Sequence, residues 1–62
     1  MLNPWRFNVG NLVQLVRGGR VWTVMWRGYL LERHNGGNFR TYVYRLDNDF
    51  WDCYHQEELT EA

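Results

Sequence analysis

Six reactive side chains crowd the stretch NDFWDCYHQEEL, Asn48 to Leu59: Asp49, Asp52, Cys53, His55, Glu57 and Glu58. Their types suit a metal site or an acid–base centre, so spacing has to decide. Structural zinc sites commonly combine closely spaced pairs of Cys and of His. Here Cys53 and His55 make one Cys-x-His pair, and the other histidine, His34, lies beside a glycine turn far back in the chain. On a strand Cys53 and His55 share a face while Asp52 points away. A catalytic thiol is activated by a helix N-terminus or a nearby cation, whereas the surroundings of Cys53 are acidic. Free cysteine is among the most buried residue types, and Cys53 is read as a core thiol. Glu57 and Glu58 diverge on a turn and read as solvated charges. The glycine pairs in GGR and NGGN lack the following helix that a phosphate-cradling loop requires. No catalytic residue, metal ligand or cofactor is assigned.

Aromatic and arginine side chains give the stronger signal. The chain has four Trp, four Tyr and three Phe, and all seven of its cations are Arg. A chain of this size hides only about 60% of its unfolded surface, while each buried ring removes about 150–250 Å² from water. The interior therefore cannot hold every ring. Trp22, Trp26, Tyr42, Tyr44 and Trp51 are read as core, and Trp5, Tyr29, Phe39, Phe50 and Tyr54 as surface. Trp, Tyr and Arg are common hot spots of protein interfaces, and the same types stack on unpaired bases and meet phosphate. An aromatic cage for a methylated cation suits such a surface, but no spacing singles one out.

Net charge is zero, yet residues 1–45 carry all seven Arg against Glu32, and residues 46–62 carry the other six acids. The expectation is that the two halves lie side by side and neutralise one another. Zero net charge gives no general attraction to phosphate. A protein partner, a second copy of the chain included, ranks ahead of nucleic acid, and both rank ahead of catalysis.

Sixty-two residues read as a single domain over 1–62, with 1–6 as a flexible arm. One cysteine excludes a disulfide within the chain and suits a reducing cytoplasm. Pro4 and Arg6 stand where a signal peptide would have its apolar core, and no run approaches the roughly 20 apolar residues of a membrane span. Strand signals follow one another along the chain. NLVQLVR (11–17) ends at Gly18-Gly19. RVWTVMWR (20–27) puts Trp22, Val24 and Trp26 on one face, then Gly28 marks a bulge or bend before YLLER (29–33). HNGGN (34–38) is the strongest turn. FRTYVYRL (39–46) puts Tyr42, Tyr44 and Leu46 on one face. DND (47–49) is an Asx-type turn, FWDCY (50–54) a last strand facing Trp51 and Cys53 inward, and HQEEL (55–59) a single 3-10 turn pressing Leu59 into the core.

Phe7, Gly10, Val13, Leu15, Gly18, Gly19, Thr23 and Val24, within FNVGNLVQLVRGGRVWTV (7–24), follow a pattern that opens many small bacterial SH3-like barrels. That pattern is Phe-x-x-Gly-Asp, an apolar alternation, Gly-Gly and an apolar-Thr-Val strand. Over this third of its length the chain resembles the YodC-like family of small uncharacterised bacterial proteins. Its ending FWDCYHQEEL is similar to the strand, short turn and Glu-Leu that finish many such barrels. Asn11 stands where Asp is usual, and the Cys and Trp that share a central strand in that family are not reproduced after Gly28. The resemblance implies a bacterial or phage-borne SH3-like barrel and brings no activity with it. Type II dihydrofolate reductases are SH3-like barrels too, working as tetramers around a pore with a late Val-Gln-Ile-Tyr segment and a pore lysine. Here VQL (13–15) lies on the first strand and Lys is absent, so a pore enzyme is the remotest alternative.

The expected fold is all-β: a small SH3-like β-barrel of four to five antiparallel strands with one 3-10 turn near the C-terminus. The expected function is non-catalytic binding of a protein partner, itself included, through Arg27, Tyr29, Arg33, Phe39 and Arg40 around the glycine turn. The edge of the long 20–33 strand is the expected route to self-association. Nucleic acid held on the same face is the alternative.

Overall fold

The chain was described from a computed structural model, which places residues 4–62. Five antiparallel strands form one sheet: β1 (Leu12–Gln14), β2 (Val21–His34), β3 (Gly37–Leu46), β4 (Tyr54–His55) and β5 (Thr60–Glu61). A 3-10 turn, Gln56–Glu58, separates β4 from β5. The spatial order is β4-β3-β2-β1-β5, and the sheet does not close into a barrel. Among the described residues no helix is long and apolar enough to cross a membrane.

The turns sit where the residues permit them. Asn35 and Gly36 have φ of 52° and 80°, the pair of left-handed residues that a two-residue hairpin turn requires. Gly18, at φ 81°, occupies the corner of a turn closed by the Gly19 N–H on the Val16 carbonyl at 2.8 Å. Asn11, in the position where the resembled family carries Asp, accepts the Asn8 N–H on its side-chain oxygen at 2.9 Å. A carboxylate would make the same bond.

β2 serves two partners in succession. Its first three residues pair with β1 and the remainder with β3, and a register shift between Val24 and Trp26 lies just inside the β3-paired stretch. The extra residue that β2 carries between Val24 and Trp26 is a β-bulge, the irregularity at which a strand bends and its twist increases. The core gathers inside that bend: Phe7, Val13, Val24, Tyr44, Leu46 and Leu59, with Trp5, Leu15, Trp22 and Tyr54 packed around them.

The bulge corrects several expectations together. It lies at Val24/Trp26 and not at Gly28, which pairs regularly with Val43. The extra residue reverses the alternation, so Trp26 leaves the face it would share with Trp22 and Val24 and lies largely exposed. Trp51 was read as core but is 79% exposed, because β4 begins only at Tyr54 and residues 50–53 are not held in the sheet. Phe50 stacks on Tyr54 instead, with ring centroids 4.8 Å apart. Tyr54 and Trp5, both read as surface, pack against the core. Cys53 is half-buried and outside the core cluster.

The flexible arm expected over 1–6 falls partly on residues 1–3, outside the described residues. Residues 4–6 are fastened to the body. The Gln56 side-chain amide donates to the Pro4 carbonyl at 3.1 Å and accepts from the Arg6 N–H at 3.0 Å. Trp5 meets Tyr42 edge-on, with ring centroids 4.6 Å apart. The 3-10 turn and the burial of Leu59 agree with the sequence reading. β5 was not foreseen.

Candidate interaction surface

The opening cluster of reactive types disperses in the fold. Among the described residues no three of His, Cys, Asp and Glu lie together in a way that would hold a metal ion. The carboxylates serve the backbone instead. Asp47 accepts the Thr23 N–H at 2.8 Å, Asp52 the Cys53 N–H at 2.7 Å, and Glu58 the His55 N–H at 3.2 Å. His55 and Glu57 approach to 3.7 Å.

Function is better sought where β2 and β3 run past the rest of the sheet. β1 stops opposite Thr23 and β4 pairs only with Val43 and Tyr44, so residues 29–42 form a two-stranded arm. Directly opposed residues of an antiparallel pair share a face. One face carries Tyr29, Leu31 and Arg33 with Tyr42, Arg40 and Asn38; the other carries Leu30, Glu32 and His34 with Thr41, Phe39 and Gly37. Tyr29, Leu30, Leu31 and Phe39 are all exposed, Leu31 to 72%. Apolar side chains thus face solvent on both sides of the arm.

Three of the five residues singled out from sequence come together. Tyr29, Arg33 and Arg40 share one face, and the Arg40 guanidinium lies 4.8 Å from the centre of the Tyr29 ring. Phe39 is on the opposite face, edge-on to His34. Arg27 is half-buried and already engaged. It donates to the Phe7 carbonyl at 3.0 Å and to the Asn8 side-chain oxygen at 2.7 Å, and it covers the Trp5 ring at 4.5 Å. Its work is to hold the N-terminal segment. Leu30 and Leu31 were missed, although three consecutive apolar residues at 29–31 mark a strand without a polar face.

Arginines are the common thread of the surface, and they meet rings. Arg6, Arg20, Arg27 and Arg40 lie over Phe7, Trp22, Trp5 and Tyr29. Among the described residues no Arg forms an ion pair with a carboxylate; the His55 ring and the Glu57 carboxylate approach each other instead. The basic and acidic halves thus make no direct Arg–carboxylate pair among the described residues. A guanidinium over a ring keeps most of its donors free for a further partner.

A second apolar area lies at the base of the arm. Met25, Trp26, Arg45, Leu46 and Cys53 line a shallow groove of about 360 Å³. The Trp26 indole lies across Gly28: a methyl group placed on Gly28 would come within 2.6 Å of its Cζ2 and 3.1 Å of its Cζ3. Val43, directly opposite Gly28, is buried yet stands apart from the core cluster. The indole roofs that side of the sheet. Comparison with known proteins adds nothing to this description: no family model, curated protein or solved structure matches the chain.

Proposed function

We propose that the protein is a non-catalytic binding module whose partner is another protein, a second copy of the chain first of all, met by the β2–β3 arm. A single observation carries this reading. The arm exposes apolar and aromatic side chains on both faces while contributing little to the core. Burying a Leu or Phe side chain is worth about 1.5–3 kcal/mol, so such an arm gains from a partner what the domain itself does not give it. The order of strands suits an SH3-like barrel. Its bacterial or phage-borne, YodC-like kind rests on the resemblance of residues 7–24, and a cytoplasmic location on the single cysteine. Light scattering on the purified protein at two concentrations tests the proposal. Dimers or larger species at the higher concentration are expected, and a strict monomer there would refute self-association.

The free guanidinium groups favour a second reading, in which the face carrying Tyr29, Arg33, Tyr42 and Arg40 holds single-stranded nucleic acid, with rings stacking on bases and Arg on phosphate. A gel shift with mixed oligonucleotides across a salt series tests it. Binding that weakens steeply with salt supports this reading, and absence of binding at low salt removes it.

A further inference from the structure

The outer edge of β2 is open, and its residues specify what fits there. The two-residue turn makes His34 and Gly37 the first hydrogen-bonded pair of the hairpin, and such pairs then alternate along the ladder at 32/39, 30/41 and 28/43. The backbone N–H and C=O groups of Tyr29, Leu31 and Arg33 consequently face away from β3. β1 reaches only as far as Thr23, so among the described residues no strand takes them. An open edge of this length is a template for pairing with another strand.

We infer that two copies of the chain join through this edge, β2 against the partner's β2, antiparallel about a two-fold axis at Leu31. The inference rests on the self-association reading above and narrows it to one strand and one register. A two-fold axis perpendicular to the sheet restricts the register. Outward-facing residues must meet outward-facing ones, so the axis passes through a residue and not between two. Centring on Leu30 sets Arg27 opposite Arg33, and centring on Glu32 sets Glu32 opposite itself. Pairing β3 with β3 about Arg40 sets Arg40 opposite itself. Like charges directly opposite one another are destabilising. Centring on Leu31 avoids all of these. It places Leu31 against Leu31, Leu30 beside Glu32, and each Tyr29 across from an Arg33, the same ring-and-guanidinium match that Arg40 and Tyr29 make within one chain. The interface is isologous, as two-fold pairs require. It is also small, so the dimer is concentration-dependent.

Cysteine trapping tests the register. In a Cys53→Ser background, Leu31→Cys is expected to give a disulfide-linked dimer under mild oxidation, because opposed Cα atoms at this position lie about 5.5 Å apart. Tyr29→Cys alone is expected not to cross-link, whereas Tyr29→Cys combined with Arg33→Cys is. Proline scanning tests the edge. Leu31→Pro removes an outward N–H that β3 does not use, and should raise the dimer dissociation constant at least about tenfold while the circular dichroism of the monomer is kept. Arg40→Pro, outward on the other edge, should leave the constant unchanged. Dimers that cross-link through Tyr29→Cys alone, or that fail to cross-link at Leu31→Cys, overturn the register and leave self-association standing. So do dimers that yield to Arg40→Pro and not to Leu31→Pro. A wild-type chain that stays monomeric at every concentration overturns both.

Discussion

The phenol of Tyr44 joins parts of the chain that share no strand. Fully buried at the centre of the core, it donates to the Gln56 side-chain oxygen and accepts the Phe7 N–H at 3.4 Å. Gln56 in turn holds Pro4 and Arg6. Tyr44→Phe keeps the ring and removes the bridge. The expected loss is about 1–2 kcal/mol, read as a fall of roughly 8–15 °C in thermal midpoint at this chain length. Combining it with Gln56→Ala should cost less than the two singles added, since both act on one network. Gly28 offers a second residue-level test. Gly28→Ala forces the Trp26 indole off the strand and uncovers Val43. A destabilisation of about 1 kcal/mol with a red-shifted tryptophan emission is expected; an unchanged spectrum would mean that the indole does not roof the strand. Sequence alone placed Tyr44 in the core, because residues 42, 44 and 46 alternate cleanly. The role of Gln56 was not legible, since Pro4 and Arg6, the residues it fastens, lie about fifty positions away and nothing local signals them.

Among the elements, the β2–β3 hairpin was the most legible, because Asn-Gly in a left-handed pair sets both turn type and register. The bulge was not. It arises where β2 passes from one partner strand to the next, a tertiary demand that leaves the run WTVMW looking like an unbroken strand. One unread extra residue was enough to put Trp26 on the wrong face, and with it the boundary between core and binding surface. The arm itself makes a prediction for hydrogen exchange. Amides of Gly28, Leu30 and Glu32, bonded across to β3, should be protected at any concentration. Those of Tyr29, Leu31 and Arg33 should exchange quickly in dilute solution and slow only when copies associate. Uniform protection across 28–33 in a dilute sample would contradict the ladder.

For the molecule as a whole, the separation of ring-bound arginines from solvated carboxylates governs its response to salt. With no Arg–carboxylate pair among the described residues, screening has little folded-state attraction to weaken. The thermal midpoint should move by less than about 2 °C between low salt and half-molar sodium chloride. A large fall would point to ion pairs formed in solution. Composition revealed the two charge blocks. It could not reveal that the guanidinium groups would settle on rings, which depends on where the strands bring Trp5, Trp22 and Tyr29.

The pairing of β5 with β1 has a consequence for how the chain reaches this state. Val13 and Gln14 meet Glu61 and Thr60, so the first strand waits for residues almost fifty positions later before its outer side is covered. The hairpin, whose contacts are local, has no such wait and belongs to the early phase of folding. During synthesis it emerges with its edges bare while the strand that finishes the sheet is still unmade. That interval is when neighbouring nascent chains are most apt to pair wrongly. Substitutions in the Asn35-Gly36 turn should therefore slow refolding, while substitutions at Thr60 should mainly speed unfolding, a division that stopped-flow kinetics can read directly.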